Sequence, residues 1–285
     1  MFIWSELCSA RPAVMGIVNV TPDSFSDGGR WLDPDAAVAH GLALVEAGAD
    51  FLDVGGESTR PGADPVDAAE EQRRVVGVVE RLAVEAGVPI SVDTTKAVVA
   101  EAACAAGARI VNDISAGRVD PEMLGVVAAR GAGFVAMHMQ GEPRTMQAAP
   151  EYSDVMREVG DFLAARVDAV RQAGISDAAI AVDPGIGFGK MTAHNLALLG
   201  RLDELVARFS APLVVGASRK RFLGQVLAGV ADEAGEVPPD RRDDATLATT
   251  VWALELGARI VRVHHARAAA RTIALIGVLD QADVA

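Results

Sequence analysis

Short runs of β-branched and other apolar residues alternate along the whole chain with longer stretches of Ala, Leu, Glu and Arg. The apolar runs are Val14–Val20, Phe51–Val54, Ile90–Asp93, Ile110–Ile114, Phe134–His138, Ile180–Asp183, Leu213–Gly216 and Ile260–His264, which predicts eight strands. Helical patterning lies between them, for example over Asp35–Ala47, Ala68–Ala86, Lys96–Ala106, Asp154–Ala173, Asn195–Phe209 and Ala266–Leu279. Four of these helices run into Gly48, Gly87, Gly107 and Gly174, where glycine supplies the left-handed C′ conformation. Strand–helix alternation with short connections implies parallel strands and right-handed crossovers.

Nearly every apolar run finishes in a polar group: Asn19, Asp53 with Glu57, Asp93, Asn112 with Asp113, His138, Asp183, Ser218 and His264. In a (β/α)8 barrel such strand ends converge on one rim, where active sites are built. An open sheet would spread them along an edge. The pattern therefore predicts an α/β fold, a single (β/α)8 TIM barrel over residues 1–285, with its site at the C-terminal ends of the strands. Thr21–Asp33 and Ala231–Asp240 read as loops, the first beside the site and the second a surface excursion.

Composition narrows the function. Aromatic residues make up 4% of the 285 residues and hydrophobic ones 51%, so the core must be mostly Val, Leu, Ile and Ala, as buried parallel strands require. A formal charge of −13 argues against nucleic acid as a main partner. It does not argue against a small phosphorylated substrate, because a cleft can carry a local charge opposite to the net one. Cys8 and Cys104 fall in no metal or disulfide spacing. With no signal-peptide pattern at the start and no run of transmembrane length, a soluble cytoplasmic protein is expected.

Several strand exits carry chemistry. Asn19-Val20-Thr21-Pro22-Asp23-Ser24-Phe25-Ser26-Asp27-Gly28-Gly29 is turn-rich and could simply cap the next helix, but Phe25 among acidic residues suits a ligand loop. Asp53-Val54-Gly55-Gly56-Glu57-Ser58-Thr59-Arg60-Pro61-Gly62 combines small residues, hydroxyls and a guanidinium, as an anion site needs, without the spacing of a P-loop. Asp183-Pro184-Gly185-Ile186-Gly187-Phe188-Gly189-Lys190 has the wrong spacing for a dinucleotide fingerprint. Ser218-Arg219-Lys220-Arg221 puts three cations at a predicted helix start, which opposes the helix dipole unless an anion compensates; a solvated charge run is the alternative. Alternation turns Arg262 and His264 to one face.

These segments, with Val135–Gly141 and Thr145-Met146-Gln147, resemble the dihydropteroate synthase family in register from Val14 to about His264. The resemblance implies condensation of 6-hydroxymethyl-7,8-dihydropterin diphosphate with 4-aminobenzoate, with Mg2+ and release of diphosphate. It implies a pterin site of Asp93, Asn112, Met137, Asp183, Phe188, Gly216 and Lys220. Asn19, Thr59, Arg60, Arg262 and His264 fall at diphosphate contacts, Asn19 being the metal contact. Phe25, Pro61, Ser218 and Arg219 fall at the 4-aminobenzoate positions. Asp93, Lys220, Arg262 and His264 are then the residues that act on the reaction. Asn112 capping a turn and Asp93 capping a helix are the plain alternatives. Sulfonamides mimic 4-aminobenzoate, so inhibition by them is implied, as is a homodimer, with the Ala-rich last helix a candidate surface.

Family members commonly carry Asp directly after the strand-eight His, whereas here the pair is His264-His265. Alternation turns residue 265 away from the mouth, so the expectation is a packing or capping change with activity retained. His40 and His194 are expected on helix surfaces or ends, and His138 in a structural role. Two rival readings are a pterin-dependent methyltransferase working with a corrinoid partner, and a paralogue that binds pterins without turnover.

Overall fold

The computed structural model describes residues 1–21, 33–59, 62–230 and 235–282. Eight strands, β1 (Ala13–Asn19), β2 (Phe51–Gly55), β3 (Ile90–Asp93), β4 (Ile110–Asp113), β5 (Gly133–Met137), β6 (Ile180–Asp183), β7 (Val214–Val215) and β8 (Ile260–Val263), pair in parallel in the order β6-β5-β4-β3-β2-β1-β8-β7. A parallel bridge between Val182 and Leu213 joins the two end strands, which closes the sheet into the expected barrel. The runs are apolar almost throughout because both faces are covered: one by helices, the other by the barrel's own filling.

The helices are α1 (Ser5–Cys8), α2 (Pro34–Glu46), α3 (Ala68–Glu85), α4 (Ala97–Ala105), α5 (Met123–Arg130), α6 (Val155–Gln172), α7 (Thr192–Gly200), α8 (Leu202–Arg208), α9 (Arg221–Val230), α10 (Asp243–Glu255) and α11 (Ala266–Ala282). Gly48, Gly87, Gly107 and Gly174 all take positive φ, between 68° and 117°, just past helix ends, as their positions in the chain require. The helix expected over Asn195–Phe209 is two. Arg201, at φ −132° and ψ 31°, leaves helical geometry after Gly200, and α8 restarts with Leu202 buried and Asp203 and Glu204 in its first turn.

The N-terminal segment closes the bottom of the barrel. Phe2 and Trp4 are buried in one cluster with Met15, Phe51, Ile110 and Val135 from the barrel interior. Trp4 packs edge-on to Phe2 and Phe51, and its indole Nε1 donates to Ala179 O at 2.9 Å, so no polar atom is stranded. With the bottom plugged, the top is the open end. The segment expected as a surface excursion is partly anchored: Val237 is buried and its carbonyl accepts from Arg242 Nε at 2.6 Å. Among the described residues no helix is long and apolar enough to cross a membrane.

Candidate active site

Strand register stacks polar side chains inside the upper barrel. Ile17, Asp53 and Ser91 share one level across β1, β2 and β3, and Asn19, Gly55, Asp93 and Asn112 share the next from β1 to β4. Met137 pairs with Asp183 across β5 and β6. Glycine at positions 55 and 216 keeps the mouth open. A Cβ on Gly55 would meet Asp93 at 3.4 Å, and one on Gly216 would sit between Arg262 and Asp183.

A chain of hydrogen bonds links these levels. Asn112 Nδ2 donates to Asp53 Oδ2 at 3.0 Å, Arg262 Nε donates to the same oxygen at 2.7 Å, and Arg262 Nη2 donates to Asp93 Oδ2 at 2.8 Å. Neither Asn112 nor Asp93 caps a turn or a helix. Among the described residues, Asn112 Oδ1, Asp53 Oδ1 and Ser91 Oγ, like Glu71 Oε1 beside the β2 loop, are buried without a hydrogen-bond partner. An unpaired buried polar atom costs about 1–3 kcal/mol, so such a set is informative in a cleft: it asks for a ligand or water that can donate.

The electrostatics of the cleft follow from opposed charges kept from water. Burial pushes the Asp93 carboxyl up to about 7 against the pull of Arg262, with Asp53 adding to the rise. Burial also raises Asp183, opposed by Lys220 and by the Gly185 N–H it accepts at 2.7 Å. Lys220 is half-buried as a residue, and its nitrogen lies against Ile186 O and the Phe188 ring. Desolvation brings it down to about 7, with Asp183 opposing and Arg262 adding to the fall. Arg262 is held above its usual value because Asp53 and Asp93 outweigh its burial.

The β7 exit separates its three cations. Arg219, at φ 58°, turns its guanidinium onto Asp243 through two bonds of 2.7 Å, and Arg221 pairs with Glu236 at 2.8 Å. Lys220 alone turns into the cleft, where its nitrogen donates to Ile186 O and lies 4.4 Å from the centre of the Phe188 ring. Ser218 Oγ lies 2.9 Å from His264 Nδ1 and accepts the His264 backbone N–H at 3.2 Å. His264 is thus oriented by Ser218, while His265 is exposed.

Thr59 lies at the end of the β2 loop, whose base is pinned. Glu57 accepts from Lys96 Nζ at 2.6 Å and from Val66 N at 2.8 Å, and Lys96 also reaches the fully buried Glu71 at 2.5 Å. Burial would lower Lys96, yet its bonds to Glu57 and Glu71 hold it above its usual value. Asn19, Asp93, Asn112, Met137, Asp183, Phe188, Gly216, Ser218, Lys220, Arg262 and His264 thus come together at the strand exits. Arg219 turns its side chain away from them. Phe25, Arg60 and Pro61 lie outside the described residues. Among the described residues no cluster of three or more His, Cys, Asp or Glu could hold a metal ion. Of the other polar strand ends, Asp113 caps its own turn by accepting from Ser115 and Gly117 N–H at 2.7 Å, and His138 is buried against Lys190 at 2.8 Å.

Asp53 and Lys190 are central to this network without being marked as site residues by their motifs. A further signal was available in lysine usage: of 26 Lys and Arg residues only Lys96, Lys190 and Lys220 are lysine, and all three lie at strand exits.

A plugged barrel whose open rim carries orphaned hydrogen-bond acceptors beside a desolvated lysine and arginine defines a TIM-barrel enzyme for a polar heterocycle bearing an anionic group. Comparison narrows the class. The family model "Pterin binding enzyme" matches residues 15–264. A dihydropteroate synthase from Mycobacterium leprae is 51% identical over 269 residues, covering 93% of this chain and 92% of the relative. Among solved structures, Yersinia pestis dihydropteroate synthase with a sulfonamide drug superposes with a TM-score of 0.88 at 42% identity, covering 96% of this chain and 95% of the other. Xanthomonas albilineans dihydropteroate synthase with 4-aminobenzoic acid gives 0.86 at 46% identity, covering 95% and 93%. The chain belongs to the pterin-binding enzyme family and, within it, to the dihydropteroate synthases, transferases of folate biosynthesis.

Proposed function

We propose that this chain, a single barrel domain, condenses 6-hydroxymethyl-7,8-dihydropterin diphosphate with 4-aminobenzoate to give 7,8-dihydropteroate and diphosphate. The observation that carries the residue roles is the set of unpaired acceptors around a shared Asp53–Arg262 bond. A pterin edge presents ring N–H and amino donors beside a carbonyl. Asn112 Oδ1 and the Asp183 carboxylate accept such donors, and Lys220 donates to a ring acceptor. Met137 and Phe188 supply the apolar walls. Asp93 stabilises positive charge on the pterin methylene.

The diphosphate falls to Asn19, Thr59, Arg60, Arg262 and His264. A neutral amide oxygen, with no metal-holding cluster of His, Cys, Asp or Glu among the described residues, fits Mg2+ that is held largely by substrate phosphates and water, and Asn19 is the residue that would touch it. When bound, the ion supplies charge neutralisation to the leaving diphosphate. Arg262 and His264 add their own donors to the same oxygens, and they are set in advance by Asp53, Asp93 and Ser218. An aryl amine is a weak nucleophile, and the electron-rich pterin shares charge on its methylene, so diphosphate departs before the amine attacks. For 4-aminobenzoate, Ser218 and the backbone at the start of α9 receive the carboxylate, with Phe25 and Pro61 over the ring. The Arg219 contribution is through its backbone, since Asp243 takes its guanidinium. Sulfonamides compete for this position.

A homodimer fits the apolar face left by α10 and α11, where Trp252, Leu275, Val278 and Leu279 are exposed. A cytoplasmic setting fits the free, unpaired Cys8 and Cys104. The roles are tested by calorimetric titration of a dihydropterin into wild-type and Asn112→Ala protein. Affinity falling about tenfold or more supports the pterin assignment, and equal affinities remove Asn112 from it.

A further inference from the structure

Lys190 has no part in the reaction as proposed, yet its nitrogen is among the most enclosed cationic groups in the chain. The residue is 2% exposed, and its Nζ lies 2.8 Å from His138 Nδ1 and 3.0 Å from both Gly185 O and Phe188 O. Among the described residues no carboxylate forms an ion pair or hydrogen bond with it. Desolvation lowers it well below the ordinary lysine value, and burial together with Lys190 itself keeps His138 neutral. The geometry satisfies the nitrogen in either charge state. As an ammonium it donates to all three partners; as an amine it donates to the two carbonyls and accepts from His138.

The turn around it has an unusual property. Every carbonyl from Gly185 to Gly189 is held by a side chain: Lys190, at the end of the turn itself, takes those of Gly185 and Phe188, while Lys220 takes that of Ile186, Gln147 that of Gly187 and Tyr152 that of Gly189. Gly185, Gly187 and Gly189 have φ of 66°, 84° and 59°, and a Cβ at Gly185 would lie 1.8 Å from His138 O. Only glycine fits a backbone wound this tightly. The outer side of the turn presents the Ile186 carbonyl and the Phe188 ring to Lys220.

We propose that Lys190 is a positioning residue: the Asp183–Lys190 turn is wound on its buried nitrogen, and the turn so shaped holds Lys220 and Phe188 on the dihydropterin side of the mouth. The inference rests on the dihydropteroate synthase reading for its kinetic consequence, whereas its geometric content stands alone. Lys190 contacts no reacting atom. It acts through two residues that do.

The chain has three lysines, so protein labelled with 13C at lysine Cε gives three methylene signals. The Lys220 signal is shifted upfield by the Phe188 ring. In Lys190→Met one signal disappears, the Lys220 protons move toward the unstructured position, and Lys96 stays in place. In the same variant the KM for dihydropterin diphosphate rises about tenfold or more while that for 4-aminobenzoate stays within about twofold. Lys190→Gln, which keeps two donors on a shorter side chain, gives the same split at smaller size and decides the matter if the methionine variant does not fold. An unmoved Lys220 signal, or two KM values that rise together, overturns the inference. A wild-type protein that makes no dihydropteroate would instead sink the reaction reading, and the resonance comparison would still decide this one.

Discussion

Arg262 Nε lies 2.7 Å from Asp53 Oδ2, and that buried oxygen also accepts the Asn112 amide at 3.0 Å. One carboxylate therefore fixes a cation on β8 and an amide on β4, facing different parts of the same cleft. In Asp53→Asn the charge is lost and the fork of Arg262 keeps only Asp93. The variant should lose about 1.5–3 kcal/mol of stability in urea unfolding. Its kcat/KM should fall about tenfold or more, chiefly through the dihydropterin KM. Wild-type values for both would mean that Asp93 alone sets Arg262.

Among the described residues Lys220 and Arg262 are cations turned into the cleft, while Arg219 and Arg221 are neutralised by Asp243 and Glu236. Lys220→Ala and Arg262→Ala should each lower kcat/KM about a hundredfold or more, with the circular dichroism of the fold retained. Near-normal turnover in either variant removes that residue from the site.

The substrate-free cleft predicts a pH signature. Desolvation brings Lys220 to about 7 in the fold, with Asp183 on β6 and Asp93 on β3 opposing and Arg262 on β8 reinforcing. In the unfolded chain a lysine titrates near ~10.4. Between those values the unfolded state binds more protons, so the stability this group contributes is present at high pH and is lost as pH falls toward 7. Urea midpoints should therefore show a rising component between about pH 7 and 10 that is missing in Lys220→Met. Parallel wild-type and variant curves would show that the nitrogen is solvated.

The eight strands, their parallel order and the convergence of polar ends were legible because each strand ends at a change from apolar to polar residues, and because glycines mark the helix ends. Less legible was what each polar end touches. Asp113 and Asp93 end successive strands, yet one folds back on its own turn and the other reaches across to Arg262. That difference is set by register, which linear sequence does not display. The three cations of the β7 exit look equivalent in sequence, and only the approach of α10 and the segment before it sorts Lys220 from its neighbours. The break at Arg201 was hidden because Leu198, Leu202 and Leu205 keep helical spacing across it.

His265 stands where the family resemblance implies Asp, but it is exposed and His264 takes its orientation from Ser218. His265→Asp should change kcat/KM by less than about threefold, as for a surface substitution of about 0.5 kcal/mol or less. An increase of tenfold or more would show that residue 265 limits the natural enzyme. Ser218→Ala, by contrast, should weaken both 4-aminobenzoate saturation and the placement of His264.

The most direct test of the account is diphosphate release from the purified protein given dihydropterin diphosphate and Mg2+, followed with and without 4-aminobenzoate. The account predicts release that rises with 4-aminobenzoate, forms 7,8-dihydropteroate and stops with EDTA. Measurable dihydropterin binding with no product under the same conditions would contradict it and leave a pterin-binding protein without turnover.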